Sequence, residues 1–98
     1  MSYIKVIVLG NNQSDILYQD KYDEIIMIGE LIRNLCVNIC IDPDTVNGYT
    51  NNVNVYINNK KWNYNPHQSL KDLNDSIIKD NQLILTIILK ENDTRKGY

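Results

Sequence analysis

The sequence predicts an α+β two-layer domain, a mixed sheet of four to five strands packed on one α-helix in the order β-β-α-β-β-β. Three observations lead there. A single stretch, Asp23–Cys40, carries a helical period. Short β-branched runs stand on both sides of it, at Tyr3–Leu9, Val53–Ile57 and Gln82–Leu89. Clusters of Gly and Asn punctuate the chain between them, beginning with Gly10-Asn11-Asn12. The 98 residues suffice for one core and not for two. The expectation is one domain over residues 1–89 and a polar, disordered tail over residues 90–98.

Each element has its own warrant. With Lys5 facing solvent, Ile4, Val6 and Val8 point to the core, and Ile7 and Leu9 share the outer face. Asp15–Gln19 returns as the second strand of a hairpin, with Ile16/Tyr18 and Leu17/Gln19 both acceptable as its inward set. In the helix, Ile25, Ile28, Leu31, Ile32, Leu35, Cys36 and Ile39 form one stripe, and Glu30, Arg33, Asn34 and Asn38 the opposite face. Asp23 is the expected N-cap, and Pro43 the expected stop. Thr45–Asn52 reads as a loop turning at Asn47-Gly48. Val53–Ile57 alternates, with Asn54 and Tyr56 outward, and Asn58-Asn59 turns the chain toward a short strand at Lys61–Asn63. Ser69–Leu73 reads as one helical turn capped by Ser69.

Composition narrows the function classes. Net charge is -2, with no concentrated basic face of the kind that binds nucleic acid. No run approaches the roughly 18 apolar residues of a membrane span, and no signal peptide is visible, so a cytoplasmic protein is expected. The chain has 15 Asn, 15 Ile, no Ala and no Phe, a bias that fits an AT-rich genome. Without Ala, the helix must rest on packing more than on propensity.

Chemistry-bearing residues are sparse. Cys36 and Cys40 lie four apart with a single, distant His67, too few ligands for a zinc site, and read as free thiols in the core. His67 sits in a Pro-containing loop with no Ser or Cys in a nucleophilic arrangement. Asp42 and Asp44 flank Pro43, where turn chemistry accounts for them. The four Gly are scattered and form no phosphate loop. No enzyme activity, cofactor or metal is expected.

The order of elements resembles the β-grasp, or ubiquitin-like, superfamily over roughly residues 3–89. Asn54–Trp62 (NVYINNKKW) carries part of the resemblance as strand, small turn, basic residues, strand. Ser69–Leu85 carries the rest: a short turn, then Ile78, a polar turn at Asp80-Asn81 and Leu83-Ile84-Leu85. Tyr22-Asp23-Glu24-Ile25 and the apolar helix after it are similar to the small bacterial YukD/EsaB family that accompanies type VII (WXG100/ESX) secretion systems, although Glu24 stands where that family often has Pro. The resemblance implies a bacterial, cytoplasmic protein-binding role beside a secretion apparatus.

The superfamily's strand order makes neighbours of the outward residues of three strands. Ile7 and Leu9, Tyr56, and Ile84, Thr86 and Ile88 would then form one mostly apolar patch where a solvated sheet is normally polar. These six residues are the expected partner-binding surface, with Tyr56 its aromatic anchor. A conjugated modifier or sulfur carrier needs a terminal Gly-Gly, whereas this chain ends Arg95-Lys96-Gly97-Tyr98. The expected function is therefore a non-conjugated adaptor that binds protein. The alternatives are a modifier or sulfur carrier with a processed tail, and a phage-encoded inhibitor that binds a protein surface.

Overall fold

The computed structural model describes residues 2–10, 14–41, 45–46, 49–50 and 52–93. Among these residues, seven strands and one α-helix form in the order β1 (Tyr3–Leu9), β2 (Ile16–Asp23), α1 (Ile28–Asn38), β3 (Thr45–Val46), β4 (Tyr49–Thr50), β5 (Val53–Ile57), β6 (Lys60–Lys61) and β7 (Gln82–Leu89). Five of the strands make one sheet in the order β2-β1-β7-β5-β6. β1 and β7 run parallel at its centre, while β2, β5 and β6 join antiparallel. This is the mixed sheet with a single covering helix that the sequence predicts. β3 and β4 form a separate two-stranded ladder within the segment expected to be loop, and the Asn47-Gly48 turn between them lies outside the described residues.

The core fills one face of the sheet. Val6, Val8, Leu83, Leu85 and Val55 meet Ile28, Leu31, Ile32, Leu35 and Cys36 of the helix, with Leu70 closing one side. Each fully buried aliphatic of this set contributes about 1.5–3 kcal/mol of transfer free energy. Ile4, Val6 and Val8 point inward, as the placement of Lys5 predicts.

The helix begins later than its apolar period suggests. Asp23 ends β2 opposite Tyr3, and its carboxylate accepts the Ile25 N–H at 3.1 Å in a turn. Ile25 lies exposed ahead of the helix, and Met27 occupies the N-cap position with no side-chain cap. Carbonyls of the following loop take over the capping role. Ile28 N–H donates to the Gln68 carbonyl (2.7 Å) and Gly29 N–H to that of Pro66 (3.1 Å). Gly29 is buried there, at a position where the absent side chain leaves room for the loop backbone.

The helix also ends before Pro43, which lies outside the described residues. Cys40 takes a left-handed conformation (φ 64°), Ile41 N–H donates to the Cys36 carbonyl (2.9 Å) and Cys40 N–H to that of Val37 (3.2 Å). This is a Schellman closure, in which Gly is the usual left-handed residue. It turns Cys40 outward. Cys36 is buried and Cys40 exposed, so only one of the two thiols is a core residue.

Neither expected register of β2 holds along its whole length. Tyr18 and Tyr22 stand beside Val8 and Ile4 and pack against the core, which sets Gln19 and Lys21 outward. A bulge between Val8 and Leu9 then shifts the pairing, so Ile16 comes beside Leu9. The Tyr22 hydroxyl donates to Asn34 Oδ1 of the helix (2.8 Å) and lies 3.4 Å from the Tyr18 hydroxyl. Burial first, and the Tyr18 phenol second, raise the Tyr22 pKa.

Asn58 and Asn59 adopt left-handed conformations (φ 53° and 66°) as expected, and the short strand after them is Lys60–Lys61, not Lys61–Asn63. Leu70–Asp72 forms the expected turn behind Ser69. There the Asp72 carboxylate accepts the Ser69 N–H (3.1 Å) and hydroxyl (3.0 Å), which holds its pKa below the usual carboxylate value. Of the tail expected to be disordered over residues 90–98, Lys90–Asn92 form a 3-10 turn, and residues 94–98 lie outside the described residues.

Candidate protein-interaction face

The face of the sheet away from the helix is built by the outward residues of five strands. The ladder sets them in rows. Gln19, Ile7 and Ile84 stand side by side, and Ile16, Leu9, Thr86, Tyr56 and Lys61 form the next row. Asn54 and Ile88 pair at one end, and Lys21, Lys5 and Gln82 at the other. The six residues expected to form a patch are thus brought together on one face.

They are not equally open. Ile84 is 45% exposed, whereas Tyr56 is 2%, Thr86 3%, Ile88 8% and Ile7 9% exposed, and Leu9 is half-buried. Tyr56, expected to be a surface anchor, is among the largest fully buried side chains of the protein. A two-layer sheet leaves this face to solvent unless something lies across it.

At the Ile88 end, that something includes the chain's own continuation. Beyond β7 the Lys90 N–H donates to the Asn52 carbonyl (2.9 Å), and the 3-10 turn brings Asp93 back over the sheet. Asp93 Oδ2 accepts both the Tyr56 hydroxyl (2.5 Å) and Asn54 Nδ2 (2.7 Å). Hydrogen bonds to a carboxylate are shorter and stronger than neutral ones, as here. Asn54 Oδ1 is buried with no hydrogen-bond partner among the described residues. The contact of Asp93 with Asn54 and Tyr56 is the feature of this face that sequence reasoning missed. Asp93 and Asn54 lie 39 positions apart, and no local pattern announces a contact at that separation.

The opposite end is open. Ile84 borders a cleft of about 260 Å³ that it shares with Ile57, Asn58, Ile77 and Gln82, and with the polar Ser76, Lys79 and Asp80. Lys5, Lys21 and Lys61 stand outward on the neighbouring strands. The arrangement offers an apolar contact with lysines on the neighbouring strands and both Lys79 and Asp80 lining the cleft.

The remaining candidate groups lie elsewhere. His67 is exposed in its loop, and its N–H donates to Asn65 Oδ1 at 2.9 Å. Desolvation pushes the Cys36 thiol up to about 11. No group of three or more His, Cys, Asp or Glu is placed to hold a metal ion among the described residues. Among the same residues, no helix is long and apolar enough to cross a membrane.

Helix, mixed sheet and outward face together define a β-grasp domain, and two solved structures share this architecture. The UBL domain of yeast Ddi1 is 20% identical with a TM-score of 0.61, over 90% of this chain and 90% of that one. A chain from the structure "Molecular Mimicry of SUMO promotes DNA repair" is 10% identical with a TM-score of 0.60, over 91% of this chain and 94% of that one. No family model and no curated protein matches the chain. The fold is ubiquitin-like.

Proposed function

We propose that this chain is a non-enzymatic, non-conjugated protein-interaction module of the cytoplasm that grips its partner with the open end of the outer sheet face. The observation that carries this reading is Ile84. A large aliphatic is 45% exposed at the centre of a sheet, between β1 and β5, on a face that alternation normally makes polar. The cleft at Ile57 and Ile77 extends the apolar contact, while Lys5, Lys21 and Lys61 favour a partner whose apolar residue is flanked by carboxylates. Tyr56, Thr86 and Ile88 lie farther along the same face and are covered, so they do not form the open part of this surface.

The ubiquitin-like fold supports protein binding as the general role. A partner in a bacterial type VII secretion apparatus is the finer proposal, and it rests on the resemblance at Tyr22-Asp23-Glu24-Ile25. Those residues precede the helix, which opens at Ile28.

Affinity capture with wild-type and Ile84→Asp baits, both verified as folded, tests the reading. The expected result is a protein recovered by the wild type and lost with Ile84→Asp. Equal recovery by both baits would remove Ile84 from the interface. Recovery of secretion-apparatus components would support the finer proposal.

A further inference from the structure

The outer face has a built-in cover at one end, and we infer that the turn Lys90–Asp93 is an autoinhibitory cap that keeps Tyr56 and Asn54 closed until the turn swings away. The inference rests on the reading that this face binds a protein, and adds how much of the face is available.

Three observations converge on the cap. First, Tyr56, Asn54, Thr86 and Ile88 are almost fully buried on the side of the sheet away from α1. Their burial is separate from the core cluster, to which Tyr56 and Ile88 do not belong. Second, the cap is fastened by polar contacts. Asp93 Oδ2 bonds the Tyr56 hydroxyl and the Asn54 amide, and the Lys90 N–H bonds the Asn52 carbonyl. Such bonds exchange readily for bonds to water, so their net strength is modest even when their geometry is good. Third, the closed form is imperfect. The buried Asn54 Oδ1 has no partner among the described residues, and opening would let water satisfy it.

The cap therefore has the properties of a two-state element: complete enough to close, and unbalanced enough to open. Opening would extend the apolar contact from Ile84 through Thr86 and Tyr56 to Ile88 along β5 and β7. A partner that supplied its own acceptor to Tyr56 and Asn54 would replace Asp93.

Acetylation of tyrosine hydroxyls by N-acetylimidazole, mapped by mass spectrometry and reversed by hydroxylamine, reads the cap directly without a partner. In the wild type, Tyr56 is expected to react far more slowly than Tyr3, which is 54% exposed. In Asp93→Ala, Tyr56 is expected to react at least about tenfold faster, the shift that losing one hydrogen bond to a charged group makes in a closing equilibrium. Tyr22, bonded to Asn34 on the helix side, is expected not to change. A folded Asp93→Ala in which Tyr56 stays protected would overturn the cap. So would a parallel rise at Tyr22, because Asp93 would then support the whole fold. Amide exchange of the wild type gives an answer that does not depend on any variant. The Lys90 and Asp93 amides are expected to open well before the Leu85 amide of β7, and opening in one step would also overturn the proposal. Loss of protection at Tyr56 with no gain in partner recovery would show a cover that opens but overturn its autoinhibitory role, and would count against the binding role of the face.

Discussion

The two faces of this sheet are closed by different physics. On the inner face, Val6, Val8, Val55, Leu83 and Leu85 interlock with the helical stripe from Ile28 to Cys36 through apolar contacts. On the outer face, one carboxylate holds two side chains, and an aliphatic is left open at the other end. The difference is instructive because the strands are the same. A strand buries alternate residues on opposite sides, so β7 sends Leu83 and Leu85 to the permanent core and Ile84 and Thr86 to the adjustable side. Apolar closure has no alternative partner in water, whereas polar closure does. The inner face thus defines the fold, and the outer face is free to serve binding.

Several substitutions can break or sharpen that contrast. Leu31→Ala strikes the inner face and is expected to cost about 2–5 kcal/mol in urea denaturation, through lost transfer energy and a cavity. Asp93→Ala strikes the outer closure and is expected to cost about 1.5–3 kcal/mol on the same scale, the value of hydrogen bonds to a charged group. A cost for Asp93→Ala above that of Leu31→Ala would erase the distinction.

Cys40→Gly relieves a left-handed non-glycine residue at the helix end, and a gain of up to about 1 kcal/mol is expected, offset in part by the freer unfolded chain. Ile84→Asp places a carboxylate on an already exposed position and is expected to change stability by no more than about 0.5 kcal/mol. A large loss there would mean that Ile84 is packed and not presented.

The thiols supply a pH test of the inner face. Burial raises Cys36 from 9.0 to about 11 in the folded protein, so between those values the unfolded chain ionises while the folded one does not. Stability is therefore expected to fall as pH rises from about 9 toward 11, and substituting Cys36 by Val should flatten that slope. Iodoacetamide near pH 8 should label Cys40 and spare Cys36.

Much of the fold was legible because periodicity reports burial directly. Alternation in Tyr3–Leu9 and Val53–Ile57, and the stripe from Ile28 to Cys36, placed nearly every core residue on the correct side. The errors arose where distant backbone decided the outcome. Ile25 continues the apolar period, yet strand pairing of Asp23 with Tyr3 and the loop carbonyls at Pro66 and Gln68 hold the helix start at Ile28. Cys40 ends the helix through a backbone conformation that its residue type does not advertise. The outer row could be assembled from strand order, but its exposure could not. The tail is polar, and polarity alone reads as solvation. Only the fold brings Asp93 to Asn54 and Tyr56, and that contact helps turn the expected aromatic anchor into a covered residue.

The contrast between the faces is tested most directly by following both closures in one wild-type preparation at increasing urea below the unfolding transition. Acetylation of Tyr56 reports the outer face and alkylation of Cys36 the inner one. The account predicts that Tyr56 becomes reactive at urea concentrations where Cys36 is still protected, so that the outer face opens while the core stays shut. Simultaneous appearance of the two reactivities, at the global transition, would contradict it.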